Sequence, residues 1–180
     1  HGGRADVVGH SMGGKAAMVL ALRHGSRVRR LIDGDIAPVA YDHTQDHLIH
    51  AMRAVALSQV TRRSEADAQL AARVEDPGTR AFLLQSLDVK EKLWRLNLDA
   101  LQDQMSGIVG FPPIEGTFEG PALFLSGDQS DYVRPEHRPA IRAMFPRARF
   151  AWIKGAGHWL HAEKPREFEA SVRSFLDVRD

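Results

Sequence analysis

Ser11 stands in Gly9-His10-Ser11-Met12-Gly13, between the apolar stretch Ala5 to Val8 and the helix-like run Gly14 to Leu22. A serine hydroxyl is a weak nucleophile and attacks a carbonyl only when a neighbouring base takes its proton. The flanking glycines predict a sharp strand-to-helix turn, a nucleophile elbow, in which the serine backbone is strained and its hydroxyl projects at the carboxyl end of a strand. In such a turn the Met12 N–H faces the spot where an oxyanion forms, and the helix N-terminus adds a positive partial charge.

An elbow of this kind demands a base and a group to orient it. His158 is the candidate base, in the glycine-rich turn Gly155-Ala156-Gly157-His158-Trp159. His161 is the spare, and His10 is expected to pack beneath the elbow. For the acid, Asp35 ends the strand that follows the elbow strand. Neighbouring parallel strands lie about 4.8 Å apart, so its carboxylate reaches the crevice that Ser11 faces. Asp128 and Asp131 follow a later strand, and all three keep the chain order Ser, Asp, His. Asp35 leads, with Asp131, Asp128 and Asp99 open as alternatives.

The elements that must position these groups alternate. After the elbow, Lys15 to Arg23 is rich in helix formers and ends at His24-Gly25. Val28, Leu31 and Ile32 make a strand running to Asp33-Gly34-Asp35. From His43 to Val74 the pattern is helical, with a second start at Ser64; Pro77-Gly78 breaks it, Arg80 to Leu87 reads as a short helix and Asn97 to Val109 as another. Ala122 to Leu125 is a continuous apolar run, the mark of a strand buried on both faces. Pro135 to Phe145 reads as helix, Arg149 to Ile153 as strand and Pro165 to Val178 as the last helix. The expectation is an α/β fold, a mostly parallel sheet flanked by helices. Residues 1–40 and 119–180 form its core, and 41–118 a mostly helical cap.

At 180 residues, 43% hydrophobic and 26% charged, the chain has the composition of one ordinary globular domain. No apolar run approaches a bilayer span. With 24 Lys plus Arg against 23 Asp plus Glu, nothing in the charge favours nucleic acid or an anionic membrane as partner. The absence of cysteine removes disulfides and thiol chemistry and fits a cytoplasmic location. Gly9-x-x-x-x-Gly14-Lys15 imitates a phosphate loop, but Ala16 lacks the hydroxyl that binds Mg²⁺. His43, His47 and His50 share helical spacing without a supporting carboxylate cluster, which reads as a solvated face. No metal or organic cofactor is expected.

Four separated motifs, Gly9 to Lys15, Asp35-Ile36-Ala37-Pro38-Val39-Ala40-Tyr41, Trp94 to Leu101 and Gly157 to Ala162, give a broader signal. Together they resemble the α/β-hydrolase superfamily and, more narrowly, the bacterial YbfF-type and animal ABHD-type esterases. The resemblance implies an α/β-hydrolase fold with a helical cap insertion, and a serine carboxylester hydrolase forming an acyl-enzyme with acyl esters, acyl-CoA thioesters being a further substrate class. It also implies that the usual acid position after the penultimate strand is a non-acid, matched here by Ser130, and that Asp35 joins the triad; some relatives point instead to the position of Asp99. Members carry strands and a His-Gly loop ahead of the elbow that are not recognisable here. The chain therefore reads as a C-terminal portion, expected to associate with such strands or with itself. A non-catalytic hydrolase-like binding module, or a C–C bond hydrolase or perhydrolase with the same triad, are the alternatives. Trp94, Leu98, Met105 and Phe111 are candidates for the acyl pocket or for the core of the cap.

Overall fold

The computed structural model describes residues 3–42 and 44–177. In chain order the elements are β1 Ala5–His10, α1 Met12–Arg23, β2 Val28–Gly34, α2 Asp46–Arg53, α3 Arg63–Leu70, α4 Pro77–Leu84, β3 Leu87–Asp88, β4 Leu93–Trp94, α5 Leu98–Asp103, α6 Met105–Val109, β5 Ala122–Gly127, α7 Arg138–Met144, β6 Ala148–Ile153, α8 Leu160–Glu163 and α9 Pro165–Leu176. They divide into two compact units, 1–40 with 111–180, and 41–110.

The first unit is a doubly wound sheet. Its four strands lie in the order β1-β2-β5-β6, and every neighbouring pair is parallel. β5 is buried along its whole length, which is why its sequence is an unbroken apolar run. On one face Ile32, Leu123, Leu125 and Ile153 pack with Leu160 of α8 and Phe175 of α9, and Phe168, Val172 and Leu176 close over them. Arg30 fastens this face by donating to the Leu176 carbonyl at the end of α9. Val178, expected to finish that helix, lies outside the described residues.

α1 covers the other face and comes very close to the sheet. A Cβ on Gly9 would stand 2.3 Å from the Gly13 carbonyl oxygen, and one on Gly14 would stand 2.2 Å from Asp33 Oδ1 and 2.6 Å from Ile36 Cγ2. Gly13 has open space where its Cβ would be. The glycines that let strand and helix close are therefore Gly9 and Gly14, and not the symmetric pair around Ser11.

The second unit has its own core, built on Met52, Leu70, Leu87 and their neighbours, with Trp94 and Leu98 packed against it. The Trp94 indole N–H donates to the Met52 carbonyl at 2.9 Å. The helical pattern from His43 to Val74 is broken into α2 and α3, joined through a short 3₁₀ turn at Leu57–Gln59. Pro77-Gly78 opens α4 where a break was expected. Asp76 caps it, its carboxylate accepting from Thr79 N at 2.6 Å, and proline suits a first helical position because its missing N–H has no helical partner there. The β3–β4 ladder was not anticipated: Asp88 accepts from the N–H groups of Lys90 and Glu91, and Lys92 turns the chain at φ 57°. Residues 111–118, expected with the helical block, group with the sheet. Phe118 N donates to Met144 O at 2.9 Å, and its ring meets Phe145 edge-on. Among the described residues no helix is long and apolar enough to cross a membrane.

The glycine contacts give a stability test. Gly9→Ala is expected to destabilise the protein by about 1–3 kcal/mol through backbone overlap. Gly13→Ala, on a free helical surface, should be neutral or stabilising by up to about 1 kcal/mol. Denaturant unfolding of the two variants measures the difference, and equal losses would contradict the packing described.

Candidate active site

β1 delivers Ser11 at the carboxyl end of the sheet. Its backbone is forced to φ 54°, ψ −123°, a conformation unusual for a residue with a side chain, and its N–H donates to the Gly34 carbonyl at 2.9 Å. The first intrahelical bond of α1 runs from Lys15 N to Ser11 O, so the Met12 N–H belongs to the helix-terminal donors without an intrahelical acceptor. The Met12 side chain is 55% exposed.

β2 delivers Asp35 one residue beyond its end. Asp35 is fully buried, also has a positive φ of 54°, and is locked to the next strand by donating its N–H to Leu125 O at 3.0 Å. His158 lies on the loop between β6 and α8. Its Nε2 is 3.0 Å from Ser11 Oγ and its Nδ1 is 2.8 Å from Asp35 Oδ2. A carboxylate only accepts, so Nδ1 carries the proton and Nε2 offers its lone pair to the serine hydroxyl. The Ser130 hydroxyl donates to the same Asp35 Oδ2, and the Tyr132 ring stacks on the His158 imidazole at 3.9 Å with an 18° tilt.

The other expected acids sit elsewhere. Asp131 pairs with Arg134 at 3.0 Å and is largely exposed. Asp128 accepts from Gly155 N at 2.7 Å, a stake for the loop that carries His158. Asp99 belongs to the helical unit, where it pairs with Arg53. His161 packs edge-on against His10, ring centroids 4.4 Å apart. Of the residues considered for an acyl pocket, Trp94 and Leu98 pack on the helical unit's core, Met105 is buried in that unit, and Phe111 belongs to the sheet unit. Lys15 is buried with its ammonium donating to the Val39 carbonyl at 3.1 Å, which takes it away from any phosphate-loop role. His43 lies outside the described residues. His50 meets the Gln102 side chain at 3.2 Å, and among the described residues no cluster of His, Asp and Glu could hold a metal ion.

Sequence reasoning missed Tyr132 and placed Ser130 only as a non-acid. It also missed Glu163, which accepts from Gly157 N at 2.7 Å and Trp159 N at 3.2 Å and so braces the His158 loop from α8. Spacing carried no signal for these, because each contact depends on how loops fold back over the strand ends.

Burial shifts the titration of the groups below the elbow. It pulls His10 down to about 4 against a smaller upward pull from its bond to the His158 carbonyl. It lowers Lys15 to about 8. Asp33, fully buried, is pushed well above the carboxylate range by burial; the Ile36 N–H pulls the other way, and the charge of Asp35 adds the smallest upward push.

A sheet of parallel strands with a serine on a strained strand-to-helix turn and a histidine and carboxylate in line defines a doubly wound α/β fold of the nucleophile-elbow class. The chain belongs to the alpha/beta hydrolase family, whose model matches residues 1–171. It is 43% identical over 179 residues to the mouse sn-1-specific diacylglycerol lipase ABHD11, covering 94% of this chain and 58% of that protein. It is 40% identical over 175 residues to esterase YbfF of Escherichia coli K12, covering 97% of this chain and 68% of the relative. A solved marine microorganism esterase superposes with a TM-score of 0.90 at 35% identity, over 96% of this chain and 70% of that one. The chain thus spans less than two thirds of the length of the mouse lipase.

Asp33 supplies a pH test. A carboxyl whose folded pKa is raised favours the native state at low pH and loses that contribution as pH rises through the folded value. This contribution to wild-type thermal stability is therefore expected to fall as pH rises above the ordinary carboxylate range, and Asp33→Asn, which cannot ionise, to flatten the fall. Parallel melting-temperature curves for the two proteins between pH 5 and 9 would overturn the assignment.

Proposed function

We propose that the protein is a serine carboxylester hydrolase in which Ser11 is the nucleophile, His158 the general base and acid, and Asp35 the group that orients His158. The single observation that supports this best is the line of contacts from Ser11 Oγ to His158 Nε2 at 3.0 Å and from His158 Nδ1 to Asp35 Oδ2 at 2.8 Å.

In the proposed reaction Ser11 Oγ attacks the ester carbonyl carbon as its proton passes to His158 Nε2. The carbonyl π electrons move to oxygen, and the Met12 N–H at the start of α1 stabilises the charge. The imidazolium formed lies against Asp35, whose buried carboxylate has a stronger hold on a cation than it would in water. The tetrahedral centre collapses, the C–O bond to the alcohol breaks, and His158 returns its proton to the departing oxygen. Water then attacks the acyl-serine with His158 as base, releasing the acid and restoring Ser11. Every step uses side chains and backbone of the sheet unit.

The printed activities of the relatives, an sn-1-specific diacylglycerol lipase and an esterase, favour acyl esters as the substrate class. Thioesters fall within the same chemistry, since the attacked carbonyl is alike and only the leaving atom changes.

Fluorophosphonate labelling read by intact mass, beside ester turnover, tests the assignment. A single adduct is expected in the wild type and none in Ser11→Ala, with kcat lower by at least about 1,000-fold. Asp35→Asn, which keeps the shape but disturbs the tautomer, should lower kcat by about 1,000- to 10,000-fold with little change in KM. An adduct that persists in Ser11→Ala, or full turnover by that variant, would rule out Ser11 as nucleophile.

A further inference from the structure

His10 is the last residue of β1 and the direct neighbour of Ser11. Its Nε2 lies 2.8 Å from the backbone carbonyl oxygen of His158, a contact between residues 148 positions apart. A carbonyl oxygen only accepts, so Nε2 carries the proton and the bond runs from His10 to His158. The His10 ring is 4.8 Å from the His158 ring, 4.4 Å from His161 and 5.6 Å from Trp159, so it is wedged among the residues at and after the proposed base.

We propose that His10 is a positioning residue, which ties the nucleophile strand to the backbone of the proposed base and so fixes the distance between Ser11 and His158. The inference rests on the serine-hydrolase reading above. The other stakes of this loop hold its flanks: Asp128 takes the Gly155 N–H, Glu163 takes the N–H groups of Gly157 and Trp159, and the Ala156 carbonyl accepts from Gln129 N. His10 grips the carbonyl of His158 itself. It does so from the residue beside the nucleophile, so a displacement of the elbow carries the base along with it. A misplacement of about 1 Å between reacting groups costs on the order of 100-fold in rate, which gives such a link its kinetic value. Burial keeps the His10 imidazole neutral, and neutrality suits the site, because a second cation beside His158 would oppose the imidazolium formed during attack.

The test compares His10→Phe, His10→Gln and His10→Asn in the full-length protein. Phenylalanine keeps a ring without a donor. Glutamine sets an N–H near the reach of Nε2 without a ring, and asparagine carries a donor that falls short. Positioning predicts that His10→Gln stays within about threefold of wild type in fluorophosphonate labelling rate and kcat, while His10→Phe and His10→Asn lose about 10- to 100-fold in both with KM unchanged. A packing role predicts the reverse order, with phenylalanine tolerated and glutamine not, and that order would overturn the inference. If His10→Phe does not fold, the Gln and Asn pair decides, equal rates counting against positioning. Ser11→Ala runs beside them: labelling that survives it defeats the serine-hydrolase reading. Labelling that it abolishes, together with wild-type rates in His10→Phe, defeats only the role of His10.

Discussion

Asp35 Oδ2 accepts from both His158 Nδ1 and the Ser130 hydroxyl, and Asp35 has no exposed surface. A carboxylate in that position is costly unless its partners are in place, so much of the sheet unit's architecture serves to bring them there. The register does this. Gly9 pairs with Asp33, His10 with Gly34, Gly34 with Leu125 and Gly127 with Ile153, so the four parallel strands end nearly level. Ser11 and Asp35, each one residue beyond its strand, then meet Ser130 and His158, which the loops after β5 and β6 fold back over the same strand ends. A one-residue slip in any strand would send its side chains to the opposite face and dissolve the cluster.

Convergence on a buried carboxylate leaves costs in the fold. Ser11 and Asp35 both hold positive φ without being glycine, a strain on the order of 1–3 kcal/mol each. Asp33 adds a buried acid two residues from another, and Lys15 buries an ammonium that donates to the Val39 carbonyl. The compensation lies in packing: the two-sided burial of β5, and the close approach of α1 that Gly9 and Gly14 permit. Strain located beside a candidate nucleophile and offset by apolar burial elsewhere is the arrangement expected when a geometry is selected for chemistry rather than for stability.

The α/β-hydrolase fold was legible in the sequence because its signals are local. The elbow is five consecutive residues, and the buried strand at 122–125 is one apolar run. Asp35, Asp128 and Asp131 could not be told apart by spacing, since all three follow strands and precede His158. Their surroundings differ only through cross-strand register and loop return, which no local pattern encodes. Pro77 misled for a related reason: proline ends a helix in its interior and begins one at its first turn, and only the cap formed by Asp76 tells the two apart. The β3–β4 ladder, two residues on each side, is too short to show alternation at all.

The loop carrying His158 shows how an irregular segment is given the precision of a regular one. It has no ladder of its own. Its amides at Gly155, Gly157 and Trp159 are each met by a carboxylate, from Asp128 after β5 and from Glu163 on α8. Charge-assisted bonds to backbone amides are short and directional, and they fix a main chain without consuming the imidazole proposed as the base. The imidazole stays available to face Ser11 on one nitrogen and Asp35 on the other, with Tyr132 stacked flat against its ring to limit rotation. Because these braces come from the connection after β5 and from α8, the orientation of His158 depends on the folded unit as a whole. Its accuracy is therefore a property of tertiary structure, and damage to any brace should reach the site through geometry before it reaches stability.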